Sequence, residues 1–293
     1  MLRFDVKRLL AFTLLGTSAA AGAAPVLNPV FSNHAVLQRG RPLAVWGTAD
    51  PREQVTVTLG GARRTVRAGL DGVWRVELPA MQAGGPYQLT ASGAGGASAS
   101  AHDLLVGDVW LCSGQSNMEF PVSRALNGDA ETASASDPFV RILSIPQRTS
   151  VTPETRLPDD TNWQLLTPGT ARDFSAACWF MVRELKQREN VPIGMIDASW
   201  GGTRIRPWMD EAAARAAGGA EDAELLALFR RDPAAAGRRF GEVWGRWWRG
   251  VSVRIADDGR PATRVRYAWS EGAVVNLYDE AGLPAGPFEL SIR

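Results

Sequence analysis

The stretch Val109-Trp110-Leu111-Cys112-Ser113-Gly114-Gln115-Ser116-Asn117-Met118-Glu119-Phe120 decides how this chain reads. Apolar residues run straight into Ser-Gly-x-Ser-Asn. Such a run predicts a strand buried on both faces of a parallel sheet. Gly114 permits a sharp turn at its end, because it has no Cβ to clash there. Ser116 is then held clear of the sheet. If a helix opens soon after Asn117, its free N–H groups point toward the serine oxygen and suit an oxyanion. A plainer role stays open, in which Ser113 and Ser116 only cap a turn.

A second stretch shares this geometry. Val191-Pro192-Ile193-Gly194-Met195-Ile196-Asp197-Ala198 predicts another buried strand, ended by Ser199-Trp200-Gly201-Gly202-Thr203. Ligand sites in open α/β sheets lie at such strand ends. Two loops on one rim would set one nucleophile, Ser116, beside the backbone donors of Gly201 and Gly202. Taken alone, the glycine pair is an ordinary turn.

Working outward, Leu104-Leu105-Val106 and Val140 to Ile145 are further strand candidates. Phe174 to Glu189 predicts a helix, with Phe174, Cys178, Met181, Val182 and Leu185 on one face and Asp173 as its N-cap. Strand, helix, strand implies a right-handed parallel crossover, so residues 104–250 read as α/β. Before them, residues 24–103 read as a small all-β sandwich. Its strands are Leu43–Trp46, Val55–Leu59, Arg64–Arg67, Val73–Leu78 and Tyr87–Thr90, separated by Gly60-Gly61, Asp71-Gly72 and Gly84-Gly85-Pro86. Ala91 to Ala101, all small residues without charge, is either a soft linker or a weak last strand. Asp210 to Arg231 and Pro233 to Arg249 predict helices. The second carries Trp244, Trp247 and Trp248, read as a packing face or, alternatively, a stacking surface for sugars or nucleotides. Residues 251–293 turn β again, at Val251–Ile255, Arg264–Tyr267 and Val274–Tyr278.

Composition bounds the class. The chain has 293 residues, 45% hydrophobic and 22% charged, which is globular and suggests two domains. A net charge of +1 gives no electrostatic case for nucleic acid or an anionic membrane. Residues 1–23 predict a secretory signal peptide: Arg3, Lys7 and Arg8, then apolar Leu9 to Leu15, then Ala21-Gly22-Ala23. The protein is therefore expected to be exported, to a periplasm or outside the cell. The apolar run is too short for a membrane span. Export permits a disulfide between Cys112 and Cys178. Their apolar settings favour the other reading, two buried free thiols.

The run from Gly107 to Phe120 resembles the signature of the sialate O-acetylesterase family, within the SGNH (GDSL-like) hydrolases. Phe31 to Arg39 is similar to that family's entry into its N-terminal β domain, and Pro192 to Met209 to its second block. Val265 to Trp269, Asn276-Leu277-Tyr278 and Gly282 to Ala285 resemble its C-terminal end. The resemblance implies an SGNH-like parallel sheet preceded by a β sandwich. It also implies removal of O-acetyl groups from sialic acid or other acetylated sugars. Ser116 would be the nucleophile, and the N–H groups of Ser116 and of Gly201 or Gly202 part of the oxyanion hole. No metal or organic cofactor is implied.

The chain departs from that pattern. The family's Gln-Gly-Glu-x-Asn block and its Asp-x-x-His block, which supplies the base, are both absent. A long middle region looks to be missing, with a junction near Arg249 to Val251, and the sheet is expected to be incomplete. The two histidines, His34 and His102, both precede Ser116. If Leu104 to Leu111 is one strand, its ends lie roughly 25 Å apart, so His102 belongs at the far end of the sheet. His34 reads as part of a turn. Asp197 lies near the Gly201 loop, but a carboxylate alone is a poor base for a serine hydroxyl. Arg204 and Arg206 follow the glycine pair and could read a sugar carboxylate, or be surface charge. Three functions stay open: an exported carbohydrate O-acetylesterase of weak or no activity, a non-catalytic glycan-binding protein, and a truncated chain that folds poorly. The oligomeric state is not legible.

Overall fold

A computed structural model describes residues 23–250, together with 264–267 and 288–291. The signal-peptide reading and the strand candidates Val251–Ile255 and Val274–Tyr278 lie outside the described residues. The chain forms two compact units, residues 1–208 and 209–293, each described by itself.

The first unit opens with alternating strands. β1 (Val26–Leu27), β3 (Leu43–Thr48) and β6 (Val73–Leu78) form a small antiparallel sheet. β4 (Gln54–Leu59), β5 (Ala62–Arg67) and β7 (Gly84–Gly93) belong to a mixed eight-stranded sheet. Every second residue points inward: Leu43 and Val45 from β3, Trp74, Val76 and Leu78 from β6, Val55, Val57 and Leu59 from β4. This two-residue period makes one face of each strand core and the other solvent. Ala91 to Ala101 is no linker. It pairs as the hairpin between β7 and β8 (Ser98–Gly114), with Ala91 opposite Ala99.

β8 is a single strand of 17 residues. Its first half pairs with β7, and Leu105 to Gly107 also pairs with β2 (Val36–Gln38). Its second half, Asp108 to Gly114, pairs in parallel with β11 (Ile193–Ser199). β11 pairs in parallel with β9 (Asp137–Ser144), and β10 (Gln164–Leu166) closes that edge antiparallel. The junction between the halves is braced by an ion pair. Arg39 grips Asp108 with two hydrogen bonds of 2.9 Å, which hold the Asp108 carboxyl below its usual range against the opposing effect of burial. Gly107 is required because a Cβ there would enter the backbone of Pro192.

Three expectations need correction. The strand before Ser116 is not buried on both faces: Trp110 is 41% and Leu111 67% exposed. Among the described residues, no strand other than β11 pairs with β8 beyond Gly107. After the short helices α1 (Ser116–Glu119), α2 (Gly128–Ser134) and α3 (Pro168–Ala171), the predicted helix is α4 (Ala176–Arg188), and its N-cap is Ser175, not Asp173. The fully buried Ser175 hydroxyl accepts the N–H of Cys178 at 3.2 Å, and Met181 faces out while Trp179 is buried. The cysteines are not free thiols. Cys112 of β8 and Cys178 of α4 form a disulfide with Cα atoms 5.9 Å apart. Their apolar positions face each other across the strand–helix interface, so one packing contact serves both readings, and geometry chooses the bond.

In the second unit, α5 (Glu211–Ala216) and α6 (Ala220–Arg231) replace the single helix expected over 210–231. Gly218, at φ +81°, breaks it. α7 (Pro233–Gly250) follows as read, and β12 (Arg264–Tyr267) pairs antiparallel with β13 (Phe288–Ser291). Among the described residues, no helix is long and apolar enough to cross a membrane.

Candidate active site

Ser116 stands where β8 ends. Gly114 has φ +155°, a conformation that only glycine adopts readily, and a Cβ there would also press on Met118. The chain turns at Gln115 into α1 (Ser116–Glu119), a single helical turn with Ser116 as its first residue. The Ser116 N–H therefore lies outside the intrahelical ladder. Ser116 is exposed.

The second loop lies on the same rim. β11 runs in register with β8, Ser199 opposite Gly114, and the Trp200 N–H donates to Gly114 O at 3.0 Å. The turn Trp200 to Thr203 thus lies directly beside Ser116. A Cβ on Gly201 would come within 3.6 Å of Ser116 Cα and run into Glu119 Oε2. Gly202 holds φ +76°, with open space around it. Thr203 donates its hydroxyl to Trp200 O at 2.7 Å and accepts the indole N–H of the exposed Trp208 at 2.9 Å. Arg204 and Arg206 follow on the surface.

Polar groups tie the rim together. The Gly201 N–H, expected as an oxyanion donor, donates to Glu119 Oε2 at 2.6 Å. Gln147 Nε2 donates to Glu119 Oε1 at 2.6 Å and to Ser199 O at 3.2 Å. Asp197 Oδ1 accepts both the N–H and the hydroxyl of Ser199. Burial pushes the Asp197 carboxyl above its usual range, and the negative charge of Glu119 adds to this against the Ser199 hydrogen bonds. Glu119 and Gln147 escaped the sequence reading. Glu119 stood inside the quoted motif, but nothing in its spacing marked the Gly201 contact, and Gln147 lies in a loop without pattern.

The imidazoles are elsewhere. His34 Nδ1 bonds Asp103 Oδ2 at 2.7 Å, and Arg141 Nη2 donates to the same oxygen at 3.2 Å. The His102 N–H donates to Asn33 Oδ1. His34 sits in the turn before β2, as read, and His102 near the start of β8. From Leu104 to Gly114 is ten steps of one strand, roughly 33 Å at about 3.3 Å each. The rim of Ser116 instead carries two carboxylates, Glu119 and Asp197.

The chain is similar to known carbohydrate esterases. Residues 106–220 match the family described as carbohydrate esterase, sialic acid-specific acetylesterase. The chain is 35% identical over 221 residues to the sialate O-acetylesterase of Mus musculus, covering 69% of this chain and 40% of that protein. The Homo sapiens sialate O-acetylesterase is 34% identical over 225 residues, covering 70% and 42%. Among solved structures, a carbohydrate acetylesterase from Xanthomonas citri aligns with a TM-score of 0.62 and 42% identity, covering 65% of this chain and 44% of that one. The chain thus spans about two-fifths of the length of the curated relatives it matches. The strand-end serine and the adjoining glycine turn both fall within the residues that match this family's model.

Proposed function

We propose that the Ser116 rim is the acyl-transfer site of an exported carbohydrate O-acetylesterase, acting on acetylated sugars such as O-acetyl sialic acid. The observation that carries this reading is the exposed Ser116 at the tip of β8, with the Gly201 turn beside it at the end of the next parallel strand. The Ser116 hydroxyl attacks the acetyl carbonyl, and the oxyanion is met by the N–H of Ser116 and that of Gly202. The Gly201 N–H is already taken by Glu119. The sugar alkoxide leaves with a proton, and water then frees acetate from the acyl-serine. Arg204 and Arg206, which follow the glycine pair, would read a sugar carboxylate. The Cys112–Cys178 bridge fits an oxidising compartment and so supports export.

The same structure favours a weak catalyst. Neither imidazole of this chain lies at the rim, and a triad member's loss leaves only the rate due to binding and the oxyanion hole. We infer from the resemblance that a region near Arg249 to Val251, carrying the family's histidine block, is missing, which would account for that deficit. This observation also favours the second reading, a glycan-binding protein that does not cleave.

A fluorophosphonate probe, with acetate release from O-acetylated sialic acid, separates the two. Labelling that vanishes in Ser116→Ala, with some acetate released, supports the esterase. Glycan binding that survives Ser116→Ala, with neither labelling nor acetate, supports the second reading. No labelling and no binding in a chain that melts cooperatively ends both.

A further inference from the structure

Glu119 joins three loops of the Ser116 rim. It sits on the same helical turn as Ser116, its Oε2 accepts the Gly201 N–H at 2.6 Å, and its Oε1 accepts Gln147 Nε2 at 2.6 Å. Gln147 reaches on to Ser199 O at 3.2 Å. The far side of Ser199 is fixed by Asp197. Each end of the Ser199–Gly201 turn is therefore held by a carboxylate, and the end nearest Ser116 is held by Glu119. A side chain at position 201 would displace that carboxylate.

Resting on the Ser116 reading above, we propose that Glu119 is a positioning residue, one that fixes the Gly201 turn against Ser116 and so sets where the acyl oxygen meets its backbone donors. Two other roles fit less well. A general base sits within hydrogen-bond reach of the proton it takes, whereas the hydrogen bonds of Glu119 run to Gly201 and Gln147. A plug that merely blocks an oxyanion donor would not need Gln147 to hold its second oxygen. One side chain accepting from both loops suits a clamp on a glycine turn.

Two measurements on the full chain test the clamp. The first is hydrogen exchange at the Gly201 amide, followed by heteronuclear NMR. In the wild type this amide is protected, and in Glu119→Ala it exchanges about tenfold faster or more. An amide unprotected in the wild type, or equally protected in Glu119→Ala, overturns the proposal. The second is the rate of fluorophosphonate labelling at Ser116, compared among variants of matched melting temperature. Glu119→Ala slows it by about tenfold or more, as expected when a reacting group is misplaced by an ångström or less. Glu119→Gln, which keeps one acceptor oxygen, falls between. Labelling unchanged in Glu119→Ala overturns the positioning role, and faster labelling shows a plug instead. A wild type that takes no label removes the nucleophile reading, and the amide exchange then decides the clamp by itself.

Discussion

Asp197 lies beneath the Ser199–Gly201 turn, with its carboxyl above the ordinary carboxylate range because burial disfavours its charge and Glu119 adds repulsion. The folded state then holds this proton more tightly than the unfolded chain. Its ionised form costs stability once pH exceeds the folded pKa, and the cost is absent below the ordinary value of about 3.9. Asp197→Asn keeps an acceptor oxygen for Ser199 and removes the buried charge. We expect it to raise the melting temperature at neutral pH, with the gain shrinking toward pH of about 4. A melting series across that range checks the sign, and a gain that grows on acidification would refute the assignment. Asp103 behaves oppositely. Burial pushes its carboxyl up, but His34 and Arg141 outweigh that, and the net direction is down. It contributes stability above the ordinary carboxylate value and loses it as pH falls through the lower, folded one. Arg141 is nearly fully buried, so this ion pair anchors the end of the sheet remote from Ser116.

At the scale of elements, the disulfide is the most consequential bond near the site. It fixes Cys112, four residues before Ser116, to α4 across 66 residues of sequence. The chain-entropy relation gives a loop of that length about 4 kcal/mol of stabilisation, relative to the reduced chain. The paired variant Cys112→Ala/Cys178→Ala should lose about 2–4 kcal/mol in denaturant unfolding. An unchanged midpoint would mean that helix packing alone holds β8. The same element shows why apolar spacing misjudged these cysteines. Cys178 and Val182 face the sheet as the helical period requires, and both are fully buried. Periodicity reports which face is inward; it does not distinguish a thiol contact from a bond. The N-cap slipped from Asp173 to Ser175 for a similar reason. Phe174 is buried at the entry to the helix, so the chain turns two residues later than polarity suggests.

At the scale of the molecule, β8 joins the antiparallel and the parallel parts of one sheet. Its first half completes the antiparallel strands and its second half opens the parallel ones. The change of pattern at Leu104, visible in the sequence, is a change of partners along one strand. Among the described residues the second half pairs with β11 alone, and Leu111 is the most exposed of its apolar residues. Edges without charge or proline invite pairing with other chains. Leu111→Lys should therefore reduce self-association in sedimentation and light scattering without altering the melting temperature. Equal association in both proteins would show that the edge is not the sticky surface.

Much of this was written in local pattern. The two-residue period of Val55-Thr56-Val57-Thr58-Leu59 and Val73 to Leu78 gave the β strands, and the apolar run into Ser-Gly-x-Ser gave the serine its place at a strand end. These are short-range properties, set by side-chain alternation and by what glycine permits. Tertiary structure decided the rest: that Ser199 lies opposite Gly114, that Glu119 rather than substrate occupies the Gly201 amide, that Cys112 meets Cys178, and that both histidines are remote from Ser116. Each depends on parallel register and on loops brought together over tens of residues, where contact is fixed by the packing of whole elements and leaves no periodic trace in the chain.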